Sequence, residues 1–565
     1  MIKPLTAIND FVVKFANVNG SGSASANELF AKSILRMGVP VSPRNIFPSN
    51  IQGSPTWYEV RVTEKGHLGR RGGGVEFMVA MNPQTWNDDL KELLPGGYLF
   101  YDNSKVLPPS KFRDDIQILG MPLTEISNAT YTDSRERQLF KNIIYLGALS
   151  FLLGIESAAI ETLFSEQYKG KERLLDSNKK ALHLGRDYAA KHFQPIGLKA
   201  ERRDFVGDRI FIEGNSAAAL GCVYGGATVC AWYPITPSSS IAEAFTKWCQ
   251  KYRVDAAGKN KFAIVQAEDE LASIGMVAGA GWNGARAFTA TSGPGVSLMQ
   301  EFIGLAYYAE IPITIINVQR GGPSTGMPTR TQQSDVLSCA YASHGDTKHV
   351  LLFPEDPNEC FEMSAAALDL ADRLQTPIFV MTDLDIGMNQ RLCKPLVWDD
   401  KRSYDRGKVM THDELEAGKV FGRYLDVDGD GIPFRTYPGT HPTKGVYFTR
   451  GTSHDRFALY SEDGGHYVDN MTRLLQKFET AKELVPQPIL THTGKKTRLG
   501  VIFYGSTSPA MSEATELLEA DKVHVDTLRI RAFPFSRVVT DFIATHDQVF
   551  VVEQNRDGQL RTLLT

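Results

Sequence analysis

Short apolar runs alternate with polar, helix-like stretches along most of the chain, and this alternation predicts α/β structure. The first apolar run, residues 10–18, leads directly into a segment rich in glycine and serine, residues 19–25. Amphipathic stretches from Arg135 to about Phe193 predict helices that close a first domain, residues 1–195. Within them, the apolar stretch 143–155 is too short to cross a bilayer and predicts a buried helix.

A second segment, from about residue 205 to 395, repeats the order strand, loop and helix. This repetition predicts a doubly wound, mostly parallel sheet. Because the carboxyl ends of parallel strands share one edge of a sheet, we expect the loops that follow them to converge there, where ligands bind. These loops are polar and comprise residues 213–221, 233–239, 267–270, 291–295 and 319–326.

The pattern becomes irregular and charge-rich between residues 396 and 490, which predicts an extended connection with some strands. The last segment, residues 491–565, returns to strand and helix. It contains the strand-like runs 499–504 and 523–530, and the polar loop 505–509 follows the first of them. We expect a small third α/β domain here.

Composition excludes several classes of protein. The chain has 565 residues, a formal charge of −4, 42% hydrophobic residues and 22% charged residues. Without a basic excess, a nucleic-acid partner is not expected, and no membrane segment is predicted. Residues 1–4 open no signal-peptide pattern, so we expect a cytoplasmic protein. The six cysteines have no metal-ligand spacing and predict reduced, mostly buried thiols.

The segment Tyr233-Pro234-Ile235-Thr236-Pro237-Ser238-Ser239 joins an apolar run to a helical pattern. Its two prolines restrict the backbone and remove amide donors, so Thr236 and the serines can be held at fixed angles to a small ligand. The segment therefore predicts a binding loop. An ordinary strand-to-helix turn, with serine capping the next helix, is the alternative.

The segment Asn19-Gly20-Ser21-Gly22 lies between a predicted strand and a predicted helix. Such a loop lets backbone amides and a helix N-terminus approach an anionic group, commonly a phosphate. Glycine and serine at these positions also permit tight packing, so this alternative stays open.

Three consecutive acids, Glu268, Asp269 and Glu270, precede a helix rich in glycine and alanine. Acids at a helix N-terminus offset its dipole, which is a sufficient structural explanation on its own. A second explanation is that one of them serves a ligand at the sheet edge.

Several motifs together carry a family resemblance. The acids followed by Thr291-Ser292-Gly293-Pro294-Gly295 resemble the pyrimidine-binding domain of thiamine diphosphate enzymes. With residues 214–221, 233–239 and 319–330, they look like the α subunit of 2-oxoacid:ferredoxin oxidoreductases. The first 195 residues are similar to the separate γ subunit of some relatives, fused here as in the 2-oxoglutarate type. The resemblance implies a γ-type domain, a thiamine diphosphate pyrimidine-type domain and a C-terminal transketolase-C-like domain.

The resemblance implies coenzyme A-dependent oxidative decarboxylation of a 2-oxoacid, with electrons passed to ferredoxin, and the reverse reaction. Glu270 would hydrogen-bond the aminopyrimidine ring and activate the cofactor, with Glu268 as the alternative register. Thr236 would bind the reacting carboxylate or carbonyl, and Arg320 would pair with the substrate carboxylate. Further cofactor contacts would come from Tyr233, Pro234, Ile235, Ser292 and Gly293.

Charge suggests which residues receive the distal carboxylate of 2-oxoglutarate. Arg330 and the hydroxyls of Ser324 and Thr325 follow Arg320 on the same loop. The segment Asn19, Gly20, Ser21 and Gly22 is the candidate contact for the phosphates of coenzyme A.

Part of the expected active site is missing from this sequence. Thiamine diphosphate needs Mg²⁺ held by a Gly-Asp-Gly loop with a later Asn, and electron transfer needs a cysteine-bound cluster. Gly429-Asp430-Gly431 has no such Asn and is rejected as that site. The run Asp426-x-Asp428-x-Asp430 mimics a calcium loop, but Tyr437 stands where a Glu is needed, so we expect a solvated turn.

A β subunit with the Mg²⁺ site and a [4Fe–4S] cluster is therefore implied, in a dimer of αβ units. Two rival functions remain. One is the same chemistry on pyruvate or branched-chain 2-oxoacids. The other is a non-catalytic α/β scaffold, against which the joint presence of Thr236, Glu270 and Arg320 argues.

Overall fold

A computed structural model describes residues 3–47, 52–448 and 451–565. The chain forms two compact units, one extending to Phe211 and including Asn389–Lys394, the other comprising Ile212–Met388 and Pro395–Thr565. Both contain sheets with helices, which confirms the predicted α/β class. The four predicted segments, 1–195, 205–395, 396–490 and 491–565, stay a prediction.

A six-stranded mixed sheet forms the centre of the first unit. The strand Asp10–Val18 is inside it, parallel to Val75–Ala80 and antiparallel to Pro55–Thr63. Alternate residues of Asp10–Val18 face opposite sides, and both sides are buried in apolar clusters. In order, the strands are Val41–Ile46, Pro55–Thr63, Asp10–Val18, Val75–Ala80, Leu93–Asp102 and Gln117–Met121.

Two long helices of this unit pack through glycine. A Cβ on Gly147 would lie 2.0 Å from the Leu182 carbonyl oxygen, and one on Gly185 would lie 1.8 Å from the Ile144 carbonyl oxygen. Only glycine permits so close a backbone approach. The helices of the unit are Ser23–Arg36, Trp86–Glu92, the 3₁₀ turn Pro109–Lys111, Leu123–Thr130, Ser134–Leu152, Ser157–Gln167 and Glu172–His192. The predicted helices between 135 and 193 are thus confirmed.

Short strands complete the first unit. Ala7–Ile8 pairs in parallel with Leu198–Lys199, and Gln390–Cys393 returns to this unit after the main sheet of the second. The strand Ile210–Glu213 spans the boundary between the two units.

A seven-stranded sheet forms the centre of the second unit, and it is parallel except for its last, antiparallel strand. The predicted parallel sheet is confirmed. Its inner strands are fully buried apolar runs, as expected for strands covered by helices on both faces. The strand order is Ala263–Gln266, Val229–Trp232, Ala287–Thr291, Ile313–Gln319, Pro377–Asp383, Val350–Leu352 and Ala532–Phe533.

The second unit also contains a four-stranded sheet near the C-terminus, ordered Ile489–Thr491, Asp526–Ile530, Leu499–Tyr504 and Gln548–Val552. The helices and helical turns of this unit are Gly214–Tyr224, Ser239–Tyr252, Glu270–Trp282, Gly293–Leu298, Gln300–Tyr308, Val336–Ala340, Pro357–Leu374, Leu384–Met388, His412–Glu416, Gly464–Leu484, Gly505–Thr507, Ser508–Ala520, Arg537–Thr545 and Gln559–Leu564.

The connection between 396 and 490 differs from the prediction. Most of its described residues are irregular, two helices, His412–Glu416 and Gly464–Leu484, lie within it, and the first strand after residue 396 begins only at Ile489. The helix Gly464–Leu484 starts where the Asp463 carboxylate accepts hydrogen bonds from two amides, and it buries Leu474, Phe478 and Ala481 on one face. The expectation of strands here was wrong because this capped amphipathic helix was not identified.

A buried ion cluster holds that helix against the rest of the unit. Glu310 is fully buried and accepts hydrogen bonds from Arg473, at 2.9 and 2.7 Å, and from the Lys477 ammonium at 2.6 Å. Burial alone would raise the pKa of Glu310, but the charges of Arg473 and Lys477 outweigh it and lower the pKa to about 2.

All six cysteines are free and buried, as predicted. Burial raises the pKa of Cys222, Cys230 and Cys249, so these thiols are poor nucleophiles. Among the described residues, no helix combines the length and the apolar character that crossing a bilayer requires.

Candidate functional site

Four neighbouring strands of the seven-stranded sheet end in the loops that the sequence singles out. After Val229–Trp232 the chain adds Ala263–Gln266 on one side, and then returns to add Ala287–Thr291 and Ile313–Gln319 on the other. This reversal of strand order opens a crevice at the carboxyl edge, because adjacent loops leave the sheet in opposite directions. The predicted convergence is confirmed for these four loops, but the fifth predicted loop, 213–221, follows Ile210–Glu213, which belongs to a separate two-stranded sheet. The crevice is the candidate site.

The loop 233–239 is tied into a tight turn by its own serines. The Ser239 hydroxyl accepts a hydrogen bond from the Ile235 amide at 3.0 Å, and the Ser238 hydroxyl donates to the Ile235 carbonyl at 3.0 Å. The serine hydroxyls therefore bond the backbone of their own turn, and Ser238 makes no side-chain cap for the helix Ser239–Tyr252, so the capping expected in the alternative is not found. Thr236 is half-buried, and no hydrogen bond of its hydroxyl to another described residue is found. Tyr233 is exposed.

The three acids at the next helix have three different surroundings. Asp269 caps the helix, since its carboxylate accepts a hydrogen bond from the Ala272 amide at 2.7 Å. Glu268 is exposed. Glu270 is only 6% exposed, yet within the described residues its carboxylate has no hydrogen-bond or ion-pair partner. A buried carboxylate without a partner is costly, and a ligand that donates a hydrogen bond would offset that cost.

The segment 291–295 shapes the space beside Glu270. A Cβ on Gly295 would lie 2.0 Å from the Thr291 hydroxyl oxygen and 3.0 Å from Glu270 Cγ, so only glycine fits there. Ser292 is fully buried and its hydroxyl has no partner in the described structure. Gly293 begins a short helix, and a Cβ on it would meet the Asp335 carboxylate at 2.7 Å.

Arg320 joins two of the loops. Its guanidinium is buried, and it donates to the Thr236 carbonyl at 2.5 Å and to the Thr325 carbonyl at 2.8 Å, while Nε has no partner among the described residues. Burial lowers the pKa of Arg320, and the nearby Asp335 carboxylate opposes this effect. Arg320 thus links Thr236 to the loop that follows Arg320 itself. Each terminal nitrogen of the guanidinium donates one of its N–H groups to a backbone carbonyl.

The loop after Arg320 closes on itself. The Gly321 amide donates to the Arg330 carbonyl at 2.8 Å, and the Met327 amide donates to the Gly321 carbonyl at 2.8 Å. Ser324 and Thr325 are exposed at its tip. Arg330 is half-buried and donates to the Thr329 carbonyl at 2.9 Å. The sequence-predicted substrate residues Arg320, Ser324, Thr325 and Arg330 therefore share one loop, whose base is at Arg320, while Thr236 lies on the loop 233–239.

Two further residues of the site, Asn215 and Asp335, are not identified by the sequence pattern as functional. Asn215 donates to the Pro237 carbonyl and to the Ser240 hydroxyl, each at 2.8 Å, and so supports the loop that presents Thr236. Asp335 is buried beside Arg320, and burial raises its pKa although hydrogen bonds from Asn317 and Ser334 oppose the rise. The feature that could have identified Asn215 is its position directly after a strand, within the predicted loop 213–221.

The glycine loop 19–22 lies in the first unit, directly after Asp10–Val18. Gly20 and Gly22 have positive φ of 84° and 77°, which glycine adopts readily. A Cβ on Gly22 would meet Leu139 Cδ2 at 2.5 Å, so tight packing accounts for this glycine. The helix that starts at Ser23 has no side-chain cap, so its first amides are free to bind an anion.

The calcium-like run contains its own cation. The Lys408 ammonium donates to Asp428 at 2.6 Å, to Asp430 at 2.8 Å and to the Ile432 carbonyl at 2.9 Å. The Asp426 carboxylate accepts the Gly429 and Gly431 amides at 2.9 Å each. The Asp428 and Asp430 carboxylates are thus already paired with a cation of the same unit.

A second cluster with metal-ligand residues consists of His412, Glu416 and His441. His441 Nδ1 accepts hydrogen bonds from the Thr443 and Lys444 amides, at 3.1 and 2.8 Å. Nε2 of a neutral ring then holds the proton and donates it to Glu416. This geometry indicates a structural histidine, since Nε2 has no lone pair for a metal.

The residues of the crevice fit a cofactor ring that offers an N–H group. Glu270 supplies a buried acceptor, Gly295 packs closely beside it because it has no side chain, and the loop 233–239 follows the adjacent strand at the same edge. The diphosphate and the metal of such a cofactor need a different set of groups, acids and amides in a Gly-Asp-Gly loop. In this unit the Gly429-Asp430-Gly431 segment is engaged with Lys408 instead.

Comparisons with known families match both units. Residues 220–417 match the family described as pyruvate flavodoxin/ferredoxin oxidoreductase, thiamine diP-bdg. Residues 12–188 match the family described as pyruvate ferredoxin/flavodoxin oxidoreductase. The crevice lies within the first of these matches.

Individual relatives agree with these families. The chain is 29% identical to 2-oxoacid:ferredoxin oxidoreductase 2, subunit alpha, of Aeropyrum pernix, over 96% of this chain and 91% of that one. It is 33% identical to 2-oxoglutarate synthase subunit KorA of Methanocaldococcus jannaschii, over 58% of this chain and 83% of that one.

A solved structure resembles nearly the whole chain. It is 2-oxoglutarate:ferredoxin oxidoreductase from Magnetococcus marinus with 2-oxoglutarate, coenzyme A and succinyl-CoA bound. The match has a TM-score of 0.87 and 27% identity, and it covers 98% of this chain and 94% of the other.

Proposed function

Because the chain belongs to the 2-oxoacid:ferredoxin oxidoreductase family as an alpha subunit, we propose that its substrate is 2-oxoglutarate. The proposed reaction is the coenzyme A-dependent oxidative decarboxylation of 2-oxoglutarate to succinyl-CoA with reduction of ferredoxin, and its reverse. The similarity to a KorA subunit and to a structure that holds 2-oxoglutarate supports this choice over pyruvate or a branched-chain 2-oxoacid.

The observation that carries the proposal is the buried, unpartnered carboxylate of Glu270 in a domain matched to thiamine diphosphate-binding proteins. Thiamine diphosphate, when bound, supplies the carbon nucleophile that attacks a 2-oxo group. Glu270 accepts a hydrogen bond from the pyrimidine ring and so holds a proton at a ring nitrogen. Glu268 is the weaker candidate because water already solvates it.

Substrate contacts are assigned by charge and by free hydrogen-bonding capacity. The Thr236 hydroxyl binds the reacting carboxylate or carbonyl. Arg320 binds the same carboxylate through the N–H groups that its two backbone carbonyls leave free. Arg330, Ser324 and Thr325 receive the distal carboxylate from the loop that Arg320 anchors. Tyr233, Pro234, Ile235, Ser292 and Gly293 form the cofactor's walls.

The remaining parts of the reaction are assigned to other groups and chains. A β subunit supplies the diphosphate site with Mg²⁺ and a [4Fe–4S] cluster, in a dimer of αβ units, and ferredoxin takes the electrons. Within this chain, Asn19, Gly20, Ser21 and Gly22 contact the phosphates of coenzyme A at the N-terminus of an uncapped helix, with Ser21 acting through its hydroxyl because its amide donates to the Val18 carbonyl at 3.1 Å.

The proposed function is tested on the complex purified anaerobically from its native cells. We expect coenzyme A-dependent viologen reduction with 2-oxoglutarate, and slower reduction with pyruvate and with a branched-chain 2-oxoacid. If the preparation prefers pyruvate, the assignment of 2-oxoglutarate as the substrate is wrong, but the family assignment stands. No reduction with any 2-oxoacid, in a preparation that contains an iron-bearing second subunit, would reject the catalytic assignment.

Substrate size is tested separately with Arg330→Ala. We expect the KM for 2-oxoglutarate to rise about tenfold, since one charged hydrogen-bonded contact of about 1.5 kcal/mol is lost. The KM for pyruvate should stay unchanged, because pyruvate has no distal carboxylate. An equal rise for both acids would remove Arg330 from the substrate site.

A further inference from the structure

The polar loop after Leu499–Tyr504 has the composition of a ligand-binding loop. It reads Gly505-Ser506-Thr507-Ser508-Pro509 between a strand and a helix, at the carboxyl edge of the four-stranded sheet. Its hydroxyl residues are buried, although nothing in the proposed reaction uses them. The question is what this loop binds.

The structure shows another part of the same unit in that position. Gln333 is 1% exposed, and its Nε2 donates to the Tyr504 carbonyl at 3.1 Å. Gln333 and Gln554 exchange two further bonds at 3.0 Å each, one from each backbone amide. The Asn555 amide group donates to the Gln333 carbonyl at 2.9 Å. Gln333 is therefore bonded through its side chain, its amide and its carbonyl.

Gly505 allows this close approach. It has a positive φ of 57°, and a Cβ at this position would lie 3.1 Å from Gln333 Nε2. The neighbouring hydroxyls also face the protein. Ser506 donates to the Asp383 carboxylate, which ends a strand of the main sheet, and Gln554 Nε2 donates to Ser506 at 2.9 Å.

Gln333 lies on the exit limb of the loop that contains the proposed substrate residues. On the entry limb, Arg320 is tied to the Thr236 carbonyl, and the Ser334 hydroxyl donates back to the Arg320 carbonyl at 3.2 Å. The Gly322 amide donates to the Gln332 side chain at 3.1 Å. The position of the loop therefore depends on Arg320 at one end and on Gln333 at the other.

We propose that Gln333 is a positioning residue for the 2-oxoacid: by fixing the exit limb against residues 504–507 and 554–555, it sets the place of Arg320 and Arg330. The polar loop after Leu499–Tyr504 then supports the substrate loop. This inference rests on the proposed function for the identity of the substrate, while the tie between the two segments stands on the hydrogen bonds alone.

The experiment uses Gln333→Ala in the assembled complex. We expect the KM for 2-oxoglutarate to rise about tenfold with kcat within about twofold of the wild type, because substrate placement is loosened and the cofactor site is untouched. Amide hydrogen exchange measured by mass spectrometry should rise in residues 320–334. The affinity for thiamine diphosphate should stay unchanged.

The matched control is Gln375→Ala. Gln375 is a buried glutamine of the same unit, and its side chain donates to the Pro433 carbonyl at 2.7 Å, away from the loop. Its loss should lower the Tm and leave the KM and the exchange of residues 320–334 unchanged. If Gln333→Ala and Gln375→Ala alter KM and kcat alike, Gln333 has only a structural role and the proposal is wrong.

A milder variant covers the case in which Gln333→Ala does not fold. Asn555→Ala removes one of the bonds to Gln333 and should raise the KM about twofold to threefold, with faster exchange in the same residues. An unchanged KM and unchanged exchange in this variant would overturn the proposal. If none of the tested 2-oxoacids supports viologen reduction by the wild-type complex, the proposed function is wrong. The hydrogen-exchange measurement then still decides whether Gln333 holds the loop.

Discussion

Two buried glutamates of the second unit have opposite surroundings. Glu310 is enclosed by Arg473 and Lys477, and their charges lower its pKa to about 2 although burial alone would raise it. Glu270 is almost as well buried, but no cation or hydrogen-bond donor among the described residues reaches its carboxylate. One carboxylate is satisfied by the chain, and the other depends on something the chain does not contain.

The presence or absence of a partner distinguishes a structural carboxylate from a functional one better than the degree of burial does. A buried charge is costly unless it is paired, so a protein retains an unpaired one only where it gains something else. The Glu310 cluster fixes the helix Gly464–Leu484 to the rest of the unit. The Glu270 carboxylate, for which we propose a cofactor contact, lies at the edge of the sheet where parallel strands end.

The strongest test of this comparison is Glu270→Gln in the assembled complex. We expect kcat to fall about 10²–10⁴-fold, since the proton on the cofactor ring loses its acceptor. The Tm of the isolated chain should stay the same or rise, because an unpaired buried charge is removed. Initial rates of viologen reduction and calorimetry measure the two effects. Full activity of this variant would contradict the cofactor role of Glu270.

The mirror experiment is Glu310→Gln, which leaves Arg473 and Lys477 buried without a counter-charge. We expect stability to fall by about 3–5 kcal/mol, the usual effect of breaking a buried ion pair. A calorimetric scan of the isolated chain measures the fall. Glu301→Gln is the control, because Glu301 is exposed and its neighbour His344 is exposed as well. A Tm equal to that of the control would show that the cluster contributes little.

The Glu310 cluster also predicts a pH dependence. The pKa of Glu310 is about 2 in the folded protein, against an ordinary value of 4.5, so the unfolded chain binds more protons in this range. The stabilisation is complete above about pH 4.5 and is lost as the pH falls toward 2. The gap in stability between the wild type and Glu310→Gln should therefore narrow by up to about 3 kcal/mol. A gap that is constant from pH 6 to pH 3 would contradict the prediction.

The smallest expected effect belongs to Glu268→Gln. Glu268 precedes the same helix but is exposed, and Asp269 already provides the cap. We expect the rate to stay within about twofold of the wild type, because a solvated surface carboxylate contributes little. A large loss here, with an active Glu270→Gln variant, would transfer the cofactor contact to Glu268.

Much of the fold could be predicted because apolar runs were bounded by polar turns. The strands Asp10–Val18, Ala263–Gln266 and Leu499–Tyr504 end where the sequence pattern places their ends. The helix Gly464–Leu484 was missed since it begins with two glycines and is polar on its outer face. Propensity disfavours such a start, and tertiary packing with the Glu310 cluster overrides it.

The position of the crevice could be predicted from the topology of the sheet. The hydrogen bonds that its side chains make could not be predicted. Parallel strands bring their carboxyl ends together whatever the side chains are, which locates the four loops. The serines after Pro237 were expected to face a ligand, but their hydroxyls bond the backbone of their own turn. The role of Gln333 has no local signal, because its partners lie far away in the sequence.

The bond between Gln333 and Gln554 has a consequence for how the protein is made. Gln554 follows Gln333 by 221 residues. It therefore leaves the ribosome long after the four strands that end in the crevice loops have been synthesised. Until then the loop that bears Arg330 lacks its second anchor, while Glu270 and its surroundings can already be in place. During synthesis, the proposed cofactor side of the crevice is therefore completed before the proposed substrate side.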